Sequence, residues 1–482
     1  MLTLPRIGAS HHRCALATLP PARETCSTEV VMMYFRTRLA EPRRRLDLAH
    51  AARLVSPLTV AACGAALLVA GPVIAAPSID GDNQPVVSSG LLTTPVVEGR
   101  NWTAAASLNT VFDSNYRRAP VPESALRLSP ALILGAGLPL GRQQLFVGAN
   151  FGRDFTLGHP EFNRNRSGIG GGIAWRVGAR CSGLIGGEHQ NRLNQVFEQV
   201  EFTPNVQKIN VVAASARCQS STGFGVGGSV RHEDIENDRL QRQAFNLRST
   251  VYAPNISYGT PTIGQFSLGA TFNDTTYSGR LVPTPVGFQL DGIKMFSGRV
   301  GYSRALGSRL RLSLGASYLK TTPRPATQLS FDPNGLVIEV QRSTFSGSGY
   351  DGSIGYQASP RLRFDISGSR NVRVSPNVGA SFIVTQAFSA DMAYRLGSKL
   401  EFGIGANRLQ NDYKNSFVSP DEPVLRVSDR THRIHAQLDY APVALYSVGF
   451  VVSHQWRESN PAIFDFKSTT ASLRLRVKFG RV

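Results

Sequence analysis

The sequence predicts an all-β fold: a transmembrane antiparallel β-barrel of about 18 strands, with 16 as the nearest alternative and both ends on the periplasmic side. Three observations predict it. Segments of about 10–15 residues alternate apolar and polar, short and long connections alternate between them, and the composition is charge-poor and glycine-rich. The chain has 482 residues, of which 41% are hydrophobic, 18% charged and 46 are glycine, against roughly 25% charged in ordinary soluble domains. Chains beyond roughly 250–300 residues usually split into domains with visible linkers, yet one texture runs here from about residue 100 to 480. After residue 76 no stretch approaches the roughly 18–20 uninterrupted apolar residues of a spanning helix, which excludes a helical membrane bundle.

The first element is a leader at 1–75. Arg43, Arg44, Arg45 and Arg53 precede an apolar stretch from Leu54 to Ala76 that ends Val73-Ile74-Ala75-Ala76. This is the order of a secretory signal peptide, with cleavage expected after Ala75. A start at Met32 or Met33 would give a more usual length. A lipid-attachment reading of Val60-Ala61-Ala62-Cys63 competes, but the apolar run continues past Cys63 to Ile74. The formal net charge is +19, and nine basic and four acidic residues precede residue 76, so the exported part carries +14. Such a balance suits nucleic acid, an anionic surface or an anionic solute. Nothing resembles a lysine-rich tail or a nucleic-acid motif, so a nucleic-acid partner is not expected.

Of five cysteines only Cys181 and Cys218 lie beyond the leader. Two cysteines in an exported chain suggest a pair, and a hairpin centred near residues 199 and 200 would set them opposite one another. Two unpaired small residues are the alternative, because cross-strand disulfide geometry is demanding.

Residues 76–100 lack periodicity and are rich in Pro, Gly and Ser, which reads as a periplasmic tail or lumen plug before a barrel at 101–482. Within the barrel the last segment is the clearest. Ala471, Leu473, Leu475, Val477 and Phe479 fall on one face, and Ser472, Arg474, Arg476 and Lys478 on the other, because side chains alternate along a strand. The same pattern sets Leu310, Leu312 and Leu314 against Arg309, Arg311 and Ser313, and Leu362, Phe364 and Ile366 against Arg361, Arg363 and Asp365. Phe266, Leu268 and Phe272 oppose Gln265, Ser267 and Asn273, while Leu400, Phe402 and Ile404 oppose Lys399 and Glu401. Ile434, Ala436, Leu438 and Tyr440 oppose Arg433, His435, Gln437 and Asp439. One such strand suits any half-exposed sheet; a succession of them in an exported chain suits a lipid-facing wall around a polar interior.

Short turns are expected at 138–142, 177–180, 220–223, 259–262, 305–308, 358–361, 395–398 and 441–444. Longer polar loops are expected at 113–122, 155–166, 190–206, 234–243, 275–291, 321–343, 371–378, 411–428 and 457–465. Eight turns and nine loops make 17 connections and 18 strands, with both ends on the short-turn side, which in transmembrane barrels is the periplasm.

The run Phe112-Asp113-Ser114-Asn115-Tyr116-Arg117, the Gly-punctuated hairpins, and Arg457-Glu458-Ser459-Asn460 leading to Phe464-Asp465-Phe466 and Leu473–Phe479 resemble the family called putative beta-barrel porin 2. These are outer-membrane barrels often associated with bacterial exopolysaccharide loci. The resemblance implies a location in the bacterial outer membrane, contact with outer-membrane lipid and the barrel-assembly machinery, and an association with polysaccharide-secretion components. It supplies no catalytic residues. Such barrels commonly end on an aromatic residue, a role left here to Phe479 ahead of Gly480-Arg481-Val482.

No metal or nucleotide motif survives inspection, and no cofactor is expected. Gly168-Ile-Gly-Gly-Gly172 lacks the Lys-Ser/Thr ending of a phosphate loop and fits a strand beside close backbones. His189, His232 and His454 fall near extracellular strand ends, but the sequence pairs none with a Ser, so an enzyme is not expected. Arg433, His435, Gln437 and Asp439 form the most concentrated polar face. Salt bridges within the wall are their bland role, and a contact strip for a permeant is the functional one. Arg309, Arg311, Arg361, Arg363, Arg474 and Arg476 would line the same interior, where a guanidinium's planar fork suits carboxylate and phosphate groups. The functional expectation is a porin-like conduit with a cationic lumen for anionic solutes or exopolysaccharide. The alternative is a non-conducting barrel that scaffolds a polysaccharide-secretion complex.

Overall fold

The computed structural model describes residues 101–193, 205–260, 262–331, 336–374, 380, 382–414 and 425–481. The leader expected at 1–75 and the tail expected at 76–100 lie outside the described residues, as do parts of the loops expected at 190–206, 321–343, 371–378 and 411–428. The strands in chain order are β1 (Asn101–Asp113), β2 (Ala125–Leu140), β3 (Gln143–Leu157), β4 (Arg164–Val177), β5 (Cys181–Leu193), β6 (Val206–Gln219) and β7 (Phe224–Asn237). Next come β8 (Leu247–Thr260), β9 (Gly264–Thr284), β10 (Gly287–Leu306), β11 (Leu310–Arg324), β12 (Thr327–Phe331), β13 (Val337–Gln341) and β14 (Phe345–Gln357). The last are β15 (Leu362–Arg373), β16 (Phe382–Leu396), β17 (Leu400–Lys414), β18 (Ser428–Val443), β19 (Tyr446–Asn460) and β20 (Phe466–Arg481). Eighteen form one antiparallel sheet, and β12 and β13 form a separate hairpin.

The sheet has no free edge. β1 pairs with β2 on one side and with β20 on the other, from Trp102 opposite Arg481 to Asp113 opposite Thr470. An edge strand would leave a row of backbone N–H and C=O groups unpaired, each costing several kcal/mol in hydrocarbon. Closure between the first and last strands removes that cost. Among the described residues the only helical pieces are short 3-10 turns, at Pro160–Phe162, Leu240–Phe245 and Ala462–Phe464.

Short turns join the strands at one end. In two of them Gly141 and Gly307 take φ of 65° and 64°, and a Cβ at either would meet nothing within 4 Å. Glycine is therefore required there by the left-handed backbone and not by space. The other end carries the long connections, with two departures from expectation. The polar loop expected at 275–291 is largely strand: the β9–β10 ladder continues to Thr284 opposite Gly287. Its two charged residues are buried together, Arg280 pairing with Asp291, which also meets Arg342. The span 321–343 likewise holds the β12–β13 hairpin.

The closure seam is locked at the long-loop end by residues on either side of it. Asp113 Oδ1 accepts hydrogen bonds from the Asn115 backbone N–H (2.9 Å), the Arg118 guanidinium (2.8 Å) and the Ser468 hydroxyl (2.7 Å). Asn115, 1% exposed, donates from Nδ2 to the Lys467 carbonyl at 3.0 Å. The Ser114 hydroxyl accepts the Thr469 N–H at 2.8 Å. On the β20 side, Arg457 donates to the Phe464 carbonyl at 2.7 Å and lies over the Phe466 ring at 4.7 Å. The two runs that carry the family resemblance thus meet across one seam.

Cys181 and Cys218 are cross-strand partners on β5 and β6, next to the short turns, with Cα atoms 4.1 Å apart and a disulfide between them.

Two measurements check this account. Asp113→Ala strips a half-buried Arg118 of its carboxylate, so the folded barrel should lose about 3–5 kcal/mol in urea unfolding, the range for removing one partner of a buried pair; Ser114→Ala, which removes one neutral hydrogen bond, should cost only about 1 kcal/mol. Maleimide labelling of the exported chain, unfolded without reductant, should add no label at Cys181 or Cys218, and two after reduction.

Candidate functional site

Alternation along each barrel strand gives the wall two chemistries. On β20, Ser472 is 4% exposed and faces the interior, while Leu473 beside it is 42% exposed on the outside. Leu314, Ile366, Ile404, Ile434 and Phe450 continue the outward face on their own strands. Arg474 and Arg476 share the face of Ser472.

The interior polar residues meet in rows set by cross-strand register. One row runs Arg395, Glu401, Asp439, Gly449, Arg474 and Asn109 across β16 to β20 and β1, with Arg395 bonded to Glu401 at 3.1 Å. Two inward rows further on, another runs Asp365, Asp391, Gly405, His435 and Ser453. There His435 Nε2 lies 3.6 Å from Asp391 Oδ1, and Arg363 pairs with Asp365 at 2.7 Å. Arg433 stands between Asn407 and Gln455, Arg476 between Ser107 and Ser447, and Arg311 between Ala305 and Gly355. Arg309 and Arg361 are placed differently from the expectation. They lie exposed in the short turns, one residue before β11 and β15 respectively, and not on the strand wall.

The interior is therefore of mixed sign: Asp365, Glu401 and Asp439 were expected on it, whereas Asp351 and Asp391 were not singled out from the sequence. Arg299 and Asp351 form a two-pronged pair, at 2.7 and 2.6 Å, that spans the intervening β11. It crosses at Gly315, where a Cβ would come within 2.5 Å of both side chains. Neither Asp351 nor Asp391 sits beside its cation in the chain; register alone brings them together. Beside the short-turn end, Gln265, Ser303, Arg311, Ser313, Ser353 and Asp365 line part of a cavity of about 720 Å³.

Toward the long-loop end the interior holds two buried apolar clusters, set among buried polar side chains such as Gln207, Thr275 and Thr321, against the expectation of a polar interior throughout. Ile209, Val211, Ile235, Leu247 and Tyr277 form a buried cluster on β6 to β9, with Phe146, Leu184 and Ala213 against it. A second cluster joins Ile293 of β10 to Phe382 and Val384 of β16, with Met295, Phe345 and Val372 around them. By strand alternation Phe382 and Val384 belong to the face of Phe388, which is 48% exposed, yet they are 1% and 2% exposed. The β14–β15 ladder ends at Tyr350 opposite Arg370, while β15 runs on to Arg373. The end of the β15–β16 hairpin thus leaves the wall and lays its outer face on residues of β10 and β14. Val374, just past β15, packs against both clusters.

The three histidines flagged near the strand ends bond to neighbours on the wall and not to a serine: His189 to Asn210 at 2.6 Å, His232 to Thr250 at 2.9 Å and His454 to Thr469 at 2.9 Å. Gly168 to Gly172 lie within β4. No group of His, Cys, Asp and Glu side chains among the described residues could hold a metal ion.

No curated protein matches the chain. Solved structures similar to it include the alcaligin outer membrane receptor FauA of Bordetella pertussis, 10% identical with a TM-score of 0.40, covering 80% of this chain and 77% of that one. OpdK of Pseudomonas aeruginosa is 10% identical with a TM-score of 0.41, covering 78% of this chain and 99% of that one. OccK2 of the same organism, in complex with glucuronate, is 9% identical with a TM-score of 0.45, covering 81% and 100%. Residues 341–479, from the last residue of β13 to Phe479 of β20, match the family described as Putative beta-barrel porin 2.

Proposed function

We propose that the protein is a porin-like channel of the bacterial outer membrane whose interior favours small anionic solutes, acidic sugars among them. The observation that carries this reading is the set of inward cations beside small or neutral partners. Arg311 has Ala305 and Gly355 as its immediate cross-strand neighbours, Arg476 has Ser107 and Ser447, and Arg474 has Asn109 and Gly449, with Asp365 and Asp439 one strand further on beyond the two glycines. Arginines on a wall of Gly, Ser and Asn leave room for a solute, and their donors suit carboxylates. Barrels of 16–18 strands are wide enough to leave an aqueous path, and the cavity beside Arg311 gives such a solute a place to rest. The apolar clusters near the long-loop end support a small solute over a passing polymer, so exopolysaccharide export is the weaker form of this reading.

Those clusters favour a second reading as well. If Val374 and Phe382 close the mouth fully, the barrel conducts little and serves as a scaffold for envelope secretion components.

Planar-bilayer recording separates the two. As a channel, the purified protein gives single-channel steps with reversal potentials that favour anions. Replacing Arg311, Arg474 and Arg476 together by Gln moves that preference toward unity while the folded gel band is kept. Replacing Val374 and Phe382 by Ser should raise the conductance, because polar side chains remove the apolar contact at the mouth. A barrel that inserts but conducts in neither form leaves the scaffold reading.

A further inference from the structure

The outward face of the wall also carries charge, and its placement is uneven. On β17 to β20 the outward rows are apolar through the middle of the wall: Phe402, Leu438, Phe450 and Leu473 form one cross-strand row, and Ile404, Ala436, Val452 and Ala471 the next. Two rows further toward the long loops, the same face presents Arg408, His432, Trp456 and Lys467, one from each of four adjacent strands. His432 and Trp456 stack with ring centroids 5.0 Å apart and planes 11° from parallel. Arg408 and Lys467 are exposed at the two ends of this stack, and Arg430, also exposed, stands one row above on β18. Glu458 faces Arg430 across the ladder, but Arg408, Arg430 and Lys467 form no ion pair among the described residues.

The short-turn end of the wall is built otherwise. Its outward positions hold tyrosines, among them Tyr258, Tyr356, Tyr394, Tyr440 and Tyr446. Most cations there, such as Arg142, Arg180 and Arg309, lie in the turns beyond the strand ends, with Arg304 on the outward face of β10 as an exception. Tyrosine suits any bilayer interface, because its ring is apolar and its hydroxyl wet. Cations aimed outward from the strands themselves are different: an Arg or Lys facing lipid costs roughly 2–4 kcal/mol at the midplane and close to nothing only near the interface. Arg408 and Lys467 therefore stand at headgroup depth. They are three strands apart, about 14 Å at the roughly 4.8 Å spacing of neighbouring strands, with a flat aromatic pair between them.

From this row we infer a docking surface for a lipid headgroup that carries two phosphates, in the leaflet on the long-loop side. Arg408, with Arg430 beside it, meets one phosphate and Lys467 the other, while the His432–Trp456 stack supports the part of the headgroup between them. Charge complementarity selects this occupant over a zwitterionic lipid, since basic residues near an anionic membrane surface each strengthen association. The inference rests on the membrane-spanning reading above.

The test uses the full barrel in zwitterionic micelles, titrated with lipid A, which carries two phosphates, and with its dephosphorylated form, with bound lipid counted by native mass spectrometry. Lipid A should bind the wild type tightly and the dephosphorylated form should not. Arg408→Gln, Arg430→Gln and Lys467→Gln together should weaken lipid A binding on the order of a hundredfold, and Lys467→Gln alone by a smaller step. The same changes at Arg142, Arg180 and Arg309 should leave it unaltered. Equal binding of the two lipids, or undiminished binding to the triple variant, overturns the inference. Competition by millimolar inorganic phosphate as effective as that by lipid A also overturns it, since a lipid site needs the headgroup held at the wall. Insertion of each protein into phosphatidylcholine vesicles is scored separately. A barrel that fails to insert refutes the membrane reading itself, whereas one that inserts without preferring lipid A refutes only the docking surface.

Discussion

Every backbone N–H and C=O of a strand in hydrocarbon needs a partner within the wall, and the rest of this structure follows from the way the chain meets that demand. An open sheet of 18 strands would fail along both edges. Pairing β1 with β20 removes the edges and brings the two ends of the described chain to the same rim. It also makes one seam answer for a contact between residues more than 350 positions apart in sequence, such as Asp113 and Ser468. Nothing local holds such a contact, which is why a carboxylate with three donors, a buried Asn and two arginines over aromatic rings are concentrated at that point.

Once the barrel is closed, alternation sorts the side chains, but the sorting leaves each inward charge to find its partner across strands. Glycine makes several of those meetings possible. Arg299 reaches Asp351 because Gly315 between them has no side chain, and Asp391 approaches His435 across Gly405 in the same way. The positive balance of the chain is thus partly offset by pairing within the wall. On the proposed channel reading, the cations left for a permeant are Arg311, Arg474 and Arg476. The outward cations on β17, β18 and β20 belong to a different surface and face a different environment, although composition counts them together.

The long-loop end shows where a barrel can depart from its own pattern. The β15–β16 hairpin leaves its neighbour β14 and turns an outer face inward, so that Phe382 and Val384 are covered by protein instead of lipid. The exchange is favourable because apolar surface gains as much from Ile293 and Phe345 as from hydrocarbon, and Ile209, Val211 and Tyr277 line the interior at that level beside buried polar groups such as Gln207 and Thr275. On the proposed channel reading, a solute entering from that side would meet this contact before it reached the arginines.

The strand count, the position of both ends at the short-turn rim and the division of residues such as Leu473 and Ser472 between two faces were legible in the sequence, because a period of two and the chemistry of turns are local properties that each segment states for itself. The pair Cys181 and Cys218 was open to two readings, and only the register of β5 against β6 set the two residues opposite one another. Register likewise decided that Asp351 and Asp391 would stand by Arg299 and His435, and that Arg408, His432, Trp456 and Lys467 would share one row. The polar stretch at 275–291 misled for the same reason: Arg280 and Asp291 look solvated in a linear chain and are buried together once β9 and β10 bring them face to face. Alternation tells a side chain which side of the wall it is on; what it meets there depends on how far neighbouring strands are shifted past each other, and that shift is settled only when the barrel closes.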